Sequence, residues 1–112
     1  MLTKAQFSDR ADRVNQAAKK RGALDKITEV DISFHYVAQQ ELCYYCHEEL
    51  NDRFHVDHLL PIARGGKNIF QNLAIVCEFC NQTKGVLTDE EYLKYLNRQM
   101  GRNKLSEPYY GG

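Results

Sequence analysis

No run of apolar residues in this 112-residue chain approaches the roughly 18 residues that a helix needs to cross a bilayer, and the N-terminus is polar rather than signal-like. These two absences predict a soluble, unsecreted protein with no membrane partner. A net charge is missing as well, because 15 basic and 15 acidic residues cancel. An argument for a nucleic-acid partner therefore cannot rest on net charge. There are no internal repeats apart from two cysteine pairs, and the length predicts a single domain over 1–112.

The charges that are present are unevenly distributed. Residues 1–26 hold seven basic and three acidic side chains, whereas residues 27–60 hold one basic and seven acidic side chains. A polyanion would therefore have to contact residues 1–26 and a few later basic residues rather than residues 27–60. A solvated helix face has the same pattern, so the charge distribution leaves both interpretations open.

The four cysteines form two C-x2-C pairs, Cys43 with Cys46 and Cys77 with Cys80. Two residues between thiolates let both sulfurs turn onto one ion, so the repeat predicts a tetrahedral, structural zinc site in an unsecreted chain. Two disulfides or a redox pair are the alternatives, and they are typical of another compartment or of a thioredoxin-like context. The 30 residues between the pairs exceed the spacing of the commonest zinc ribbons and predict an insertion within the zinc knuckle.

Capping boxes and periodicity predict helices on both sides of a hairpin. Thr3 with Gln6 and Thr88 with Glu91 have the spacing of capping boxes. The predicted segments are a helix from residue 3 to 21, a short helix over 35–42, strands over 53–60 and 72–76, a knuckle and short helix over 77–85, a helix opening at residue 88, and a loose tail. Residues 25–33 show no clean period.

Three side chains between and beside the cysteine pairs carry chemistry. Asp57 lies near the end of the first predicted strand and Asn81 opens the helix that follows the second, and their oxygens are hard ligands suited to a cation such as Mg²⁺. His58 titrates near neutral pH and could take a proton from water. A metal ion for the leaving oxygen and a base for water predict a phosphodiester hydrolase. Consecutive strand residues point to opposite faces, so we expect the chain to leave regular strand geometry at Asp57 and His58, near Pro61.

The residues between Cys43 and Gly85 resemble the HNH endonuclease family. The motifs that carry the resemblance are Asp57-His58-x-x-Pro61, Gly65-Gly66, Asn72-Leu73, Cys77-x-x-Cys80-Asn81 and Lys84-Gly85. The chain is similar to small bacterial or phage members. The resemblance implies an α+β class, with a ββα-metal core over 43–86 stapled by a structural zinc. It also implies an N-terminal helical extension over 1–42, a C-terminal helix over 87–101 and a tail over 102–112.

Carried over to this sequence, the resemblance makes His58 the general base and Asp57 and Asn81 the ligands of the catalytic metal ion. Asn72 is similar to the family's middle asparagine, whose side chain braces the loop between the strands and thereby orients the histidine. Asn81 stands where many members have histidine. Because an amide binds transition metals less strongly than imidazole, the resemblance favours Mg²⁺ or Mn²⁺ at this site.

The resemblance further implies DNA as the partner, no organic cofactor, and the cytoplasm of a bacterial or phage-infected host cell. Arg64, Lys67 and Lys84 are candidates for phosphate contacts, with solvated surface as the alternative. Taken singly, Asp57 could merely pair with Arg64. A non-catalytic, zinc-stabilised nucleic-acid-binding module stays open as another function, and so does a nuclease directed at RNA.

Overall fold

The structure is a computed structural model and describes residues 2–100. Within that range the chain forms four helices and one antiparallel two-stranded sheet. The elements are α1 Lys4–Lys20, α2 Glu29–Ala38, β1 His55–His58, β2 Leu73–Val76, α3 Glu78–Lys84 and α4 Asp89–Met100. The predicted α+β class with a ββα core and flanking helices is confirmed. The predicted tail over 102–112 lies outside the described residues.

Local capping fixes where α1 and α4 begin. The Thr3 hydroxyl accepts from the Gln6 backbone N–H, and the Gln6 side chain accepts from the Thr3 backbone N–H. The same reciprocal pair joins Thr88 and Glu91 ahead of α4. Both capping boxes predicted from the sequence are therefore present.

The second helix was predicted in the wrong place. It spans Glu29–Ala38 rather than 35–42 and begins after a third capping box, formed by Thr28 and Asp31. Apolar side chains occupy both sides of α2, since Ile32 and Tyr36 are buried while others are more than half exposed. The exposed ones are Val30, Phe34 and Val37. A helix that is apolar on two sides shows no single-face period, which explains why the pattern over 25–33 gave no signal.

The hairpin is shorter than predicted and regular along its whole length. His55 pairs with Val76, and the register continues to His58, which pairs with Leu73. Two 3-10 turns, Ile62–Arg64 and Phe70–Asn72, shape the loop between the strands. On its other side β2 is covered by the buried Gln39 amide, which donates to the Ile75 carbonyl and accepts from its N–H. A two-stranded hairpin is marginal alone, so the packing on its faces must hold it.

Two cores lie on opposite faces of this hairpin. Leu73 and Ile75 point into a core shared with α1 and α2, and Ala74 and Val76 point into a core shared with the cysteines and α4. The first core is formed by Phe7, Ala11, Ile27, Ile32, Tyr36, Phe54, Leu73 and Ile75. The second is formed by Cys43, Tyr45, Ala74, Val76, Cys80, Tyr92 and Leu96. Side chains of β1 therefore reach one environment or the other according to the pleat.

The described helices include none with the length and apolar character needed to span a bilayer.

Candidate functional site

The four cysteine sulfurs converge at the end of the hairpin. Their ligand atoms all lie within 4.8 Å of one another, and all four thiols are free. Cys46 Sγ lies 3.7 Å from Cys77 Sγ. Four sulfurs at the usual metal–thiolate distance of about 2.3 Å in a tetrahedron are about 3.8 Å apart. The cluster therefore has the dimensions of a tetrathiolate metal site, and the disulfide alternative is wrong.

Two backbone N–H groups point at sulfurs of the cluster, an arrangement that suits a bound metal. Cys77 N–H points at Cys43 Sγ at 3.3 Å, and Cys80 N–H points at Cys77 Sγ at 3.4 Å. Donors aimed at sulfur stabilise thiolates, the form that binds metal. Hydrogen bonds from the neighbouring thiols of Cys46 and Cys80 hold the pKa of Cys43 far below its usual range, and the same hydrogen bonds raise the pKa of Cys46 to about 12 and raise that of Cys80. Cys43 and Cys80 are fully buried, and Cys46 and Cys77 are partly exposed.

Asp57 and Lys84 form a buried ion pair beside this centre. The two residues are only 8% and 2% exposed, and Lys84 Nζ lies 3.0 Å from Asp57 Oδ2. Lys84 also donates to the backbone carbonyl of His58 at 3.0 Å. Asp57 Oδ2 itself accepts no hydrogen bond of good angle within the described residues, so its contact with Lys84 is electrostatic. Burial raises the pKa of Asp57 to about 6, against the opposing effect of the Lys84 charge.

His58 is held from the opposite side by Asn68. His58 Nε2 lies 3.0 Å from Asn68 Oδ1, and Asn68 is fully buried. The Asn68 amide nitrogen lies 2.8 Å from the Asp25 carbonyl and 2.8 Å from Asn15 Oδ1. A backbone carbonyl can only accept, so the amide nitrogen must face Asp25 and the amide oxygen must face His58.

This network fixes the tautomer of the neutral imidazole. Because Asn68 Oδ1 is an acceptor, His58 Nε2 carries the hydrogen and Nδ1 keeps the lone pair. Burial lowers the pKa of His58 below its usual range, and the charges of Lys84 and Arg21 add to the effect. His58 therefore offers Nδ1 as a proton acceptor.

Asp57 and His58 lie on opposite faces of β1, because both belong to the regular ladder with β2. The predicted break in strand geometry at these two residues is therefore wrong. Asp57 points toward the cysteine side, where Lys84 of α3 lies, and His58 points toward Asn68 and α1. For Asp57 and His58 to act on the same phosphate, that phosphate would have to lie at the edge of β1 rather than over one of its faces.

The Asn72 side chain hydrogen-bonds to backbone groups of the loop between β1 and β2. Its amide nitrogen donates to the carbonyls of Leu60 and Lys67, and its oxygen accepts from the Leu60 N–H, each at 2.9 Å. Gly66 packs against the same turn, where a Cβ would lie 1.8 Å from the Leu60 carbonyl oxygen. Any side chain at Gly66 would collide with the backbone. The Asn72 side chain thus holds the segment between His58 and Asn68 in one shape.

Asn81 lies on α3, three residues before Lys84. Residues three apart on a helix share a side, so Asn81 projects from the part of α3 that faces Asp57. Asn81 is partly exposed, whereas Lys84 is buried. Asp57 is thus buried, whereas Asn81 is partly exposed on the side of α3 that carries Lys84.

The three predicted phosphate contacts have different surroundings. Lys84 is buried against Asp57, which contradicts a role at the surface. Arg64 is exposed but paired with Glu91 at 2.5 Å, so it is not the partner of Asp57. Lys67 is exposed beside Gly66. Lys67 is therefore the candidate whose charge is most open to a ligand.

Asn68 is the site residue that the sequence analysis missed. Its partner Asn15 lies 53 residues earlier in the chain, so no local pattern links them. Its position after Gly65-Gly66 and before Asn72, inside the matched motif, was the only available signal.

Comparison with known families agrees with this arrangement. The family model described as HNH endonuclease matches residues 43–97, which contain the cysteine cluster, the hairpin, α3 and most of α4. No curated protein matches the chain.

Proposed function

We propose that the chain is a metal-dependent endonuclease that hydrolyses phosphodiester bonds of DNA, because residues 43–97 match the family model described as HNH endonuclease. The observation that carries the proposal is the state of His58. Its Nε2 is tied to the buried Asn68, and its Nδ1 is left as the acceptor. The buried contact with Asn68 thus fixes which nitrogen of the imidazole can accept a proton.

In this proposal His58 Nδ1 takes a proton from the attacking water. The imidazole is ready to do so because burial favours its neutral form. Asn68 fixes its tautomer, and Asn72 holds the loop that carries Asn68. Asp57 and Asn81 would hold the divalent cation, proposed to be Mg²⁺ or Mn²⁺, and when bound this ion would stabilise the charge on the leaving oxygen.

The residues present fit such a cation. Asp57 Oδ2 is a buried carboxylate oxygen that lacks a well-aligned hydrogen bond, and the partly exposed Asn81 adds a neutral oxygen from the side of α3 that carries Lys84. Hard oxygen donors of this kind suit Mg²⁺, which retains several waters and takes few protein ligands. Lys84 already places one positive charge at Asp57, so the ion and the ammonium compete for that carboxylate.

We propose that the ion of the four-cysteine site is Zn²⁺ and that its role is structural. Four thiolates leave no open position for a substrate. The site joins the segment before the hairpin to the start of α3 and the turn that precedes it. A chain of this size gains folding free energy from such a site.

The test is a supercoiled-plasmid nicking assay with the zinc-loaded chain in Mg²⁺, in Mn²⁺ and with chelator. The parent should nick DNA only with added divalent ion. His58→Ala should retain its zinc and lose roughly 10²- to 10⁴-fold in rate, because general-base assistance has that magnitude. His55→Ala lies on the other face of the same strand and should keep at least about a tenth of the parental rate at saturating DNA.

A parent that never cuts in either metal would refute the proposal. The non-catalytic, zinc-stabilised nucleic-acid-binding module would then replace it, and one observation already favours that alternative. Lys84 neutralises Asp57 in the same position that a catalytic cation would use. A parallel assay with an RNA substrate identifies a nuclease that prefers RNA. Such a nuclease would use the same chemistry on a different nucleic acid.

A further inference from the structure

One face of α1 carries a row of arginines. Arg10, Arg13 and Arg21 lie three and eight residues apart, spacings that return to the same side of a helix. Ala17 lies between them on that side and has no side chain beyond Cβ. The row is about 16 Å long, which equals roughly five nucleotide steps of B-DNA.

Two clefts open along this row. The first, of about 520 Å³, is lined by Arg10 and Arg13 together with Arg53 and Val56 from the other wall. The second, of about 460 Å³, begins at Arg21 and has Gly66 and Lys67 opposite. Each cleft therefore has basic side chains both on α1, or at its C-terminal cap, and on the segment that faces it.

His58 lines neither cleft, but it is close to lining residues of both. Val56, which lines the first cleft, is two residues before His58 on the same face of β1. Lys67, which lines the second, directly precedes the Asn68 that holds His58. Asn68 also donates to the Asp25 carbonyl, and Asp25 lines the second cleft.

The two arginines of the first cleft that lie on α1 have partners that a phosphate could join or replace. Arg10 is oriented by the carbonyls of Phe54 and Asp52 and stacks over the Phe54 ring, but it has no carboxylate partner among residues 2–100. Arg13 is paired with Asp9 at 2.9 Å, and both side chains are more than half exposed. An ion pair this exposed is worth little and can be exchanged for a phosphate.

The acidic residues of the clefts are fewer than the basic ones. Asp52 and Glu78 line the first cleft and Asp25 lines the second. The basic residues of the two clefts are Arg10, Arg13, Arg21, Arg53 and Lys67. The balance favours an anionic ligand although the chain as a whole is neutral.

We propose that this face of α1 and the loops opposite it bind the backbone of duplex DNA and lead a phosphate to His58. The inference rests on the proposed function and assigns the N-terminal extension, outside the matched family region, as the main contact with the substrate. A duplex is favoured over a single strand because the ring among the cleft-lining residues, Phe54, is buried and offers no platform for base stacking.

The experiment measures binding without cleavage. A fluorescein-labelled duplex of about 20 base pairs is titrated with the zinc-loaded chain over a range of salt concentrations, with no added divalent ion, and followed by anisotropy. The double variant Arg13→Gln/Arg21→Gln should lower the salt slope of the binding constant by about 1.8, or roughly 0.9 for each lost phosphate contact. Lys19→Gln, on the other side of the same helix, should keep the parental slope. Zinc content and circular dichroism confirm that the variants are folded.

Three results would overturn the inference. In the first, the parent binds a single strand more tightly than the duplex. In the second, the double variant keeps the parental salt slope, and in the third Lys19→Gln loses as much of the salt slope as the double variant does. The test is separable from the nuclease assay. If the chain binds DNA through α1 but never cuts it, only the proposed function is refuted. If the chain cuts DNA and the double variant keeps the parental salt slope, only the proposed α1 surface is refuted.

Discussion

Replacing Asn68 with alanine should weaken both the fold and the reaction, by amounts that follow from its three contacts. The side chain bonds His58 at 3.0 Å and Asn15 and Asp25 at 2.8 Å each, in a fully buried position. At about 1 kcal/mol per hydrogen bond, the free energy of unfolding should fall by about 3 kcal/mol. That is a large share of the 5–15 kcal/mol typical of a domain, so cleavage should be measured well below the melting temperature.

The effect on the reaction should be smaller than loss of the base itself. The bond to Asn68 favours the Nε2–H tautomer of His58 by about 1 kcal/mol, which corresponds to roughly a fivefold difference in population. Asn68→Ala should therefore cut DNA at most about fivefold more slowly at saturating substrate, against the 10²-fold or greater loss for His58→Ala. Nitrogen-15 NMR of the imidazole should show Nε2–H in the parent and a mixture of tautomers in the variant.

Asn15→Ala is the matched control. It removes the Asn15 contacts with Ile27 and one anchor of the Asn68 amide, yet leaves the bond between Asn68 and His58 in place. Its stability in urea should fall by a similar amount while its cleavage rate changes less than twofold. If Asn68→Ala is destabilised but cuts at the parental rate with an unaltered tautomer, then Asn68 only supports the fold and the assignment of Nδ1 as the base is unfounded.

Two further changes probe the metal centre and the buried ion pair. Cys77→Ser should lose zinc by elemental analysis and unfold at lower temperature, because it removes one of four converging sulfurs; a variant that melts like the parent would contradict a structural site. Lys84→Met should lower the free energy of unfolding by about 3–5 kcal/mol, because it leaves Asp57 buried without its counter-charge. The double variant Asp57→Asn/Lys84→Met should recover most of that loss in urea titrations, and a parental midpoint for Lys84→Met alone would show that the pair is not formed.

Features that depend on neighbouring residues could be predicted from the sequence. A capping box needs only a hydroxyl and an amide or carboxylate three residues apart, so Thr3 and Thr88 were enough to place the starts of α1 and α4. The spacing of the paired cysteines likewise predicts their cluster. The alternation of β1 holds through Asp57 and His58, whereas the break in strand geometry that their expected chemistry led us to predict is absent.

Features that depend on distant parts of the chain could not be predicted. Lysine is rarely buried, and nothing near Lys84 shows that its ammonium ends beside Asp57, 27 positions earlier. α2 was misplaced because its packing partners cover only one of its two apolar sides. The role of Asn68 depends on its contact with Asn15 of α1, which exists only in the folded structure. In each case tertiary packing decided what local pattern left open.

The long reach of the α1 contacts has a consequence for the order of events during synthesis. Arg10 bonds the carbonyls of residues more than 40 positions later, and Asn15 waits for Asn68. A chain made from its N-terminus at roughly 5–20 residues per second therefore exposes α1 for several seconds before any of these partners leave the ribosome. The four sulfurs come together later still, because Cys80 follows the hairpin. The imidazole of His58 consequently acquires its orientation only after Asn68 has been made and α1 has docked, so a shorter nascent chain carries the base without the geometry to use it.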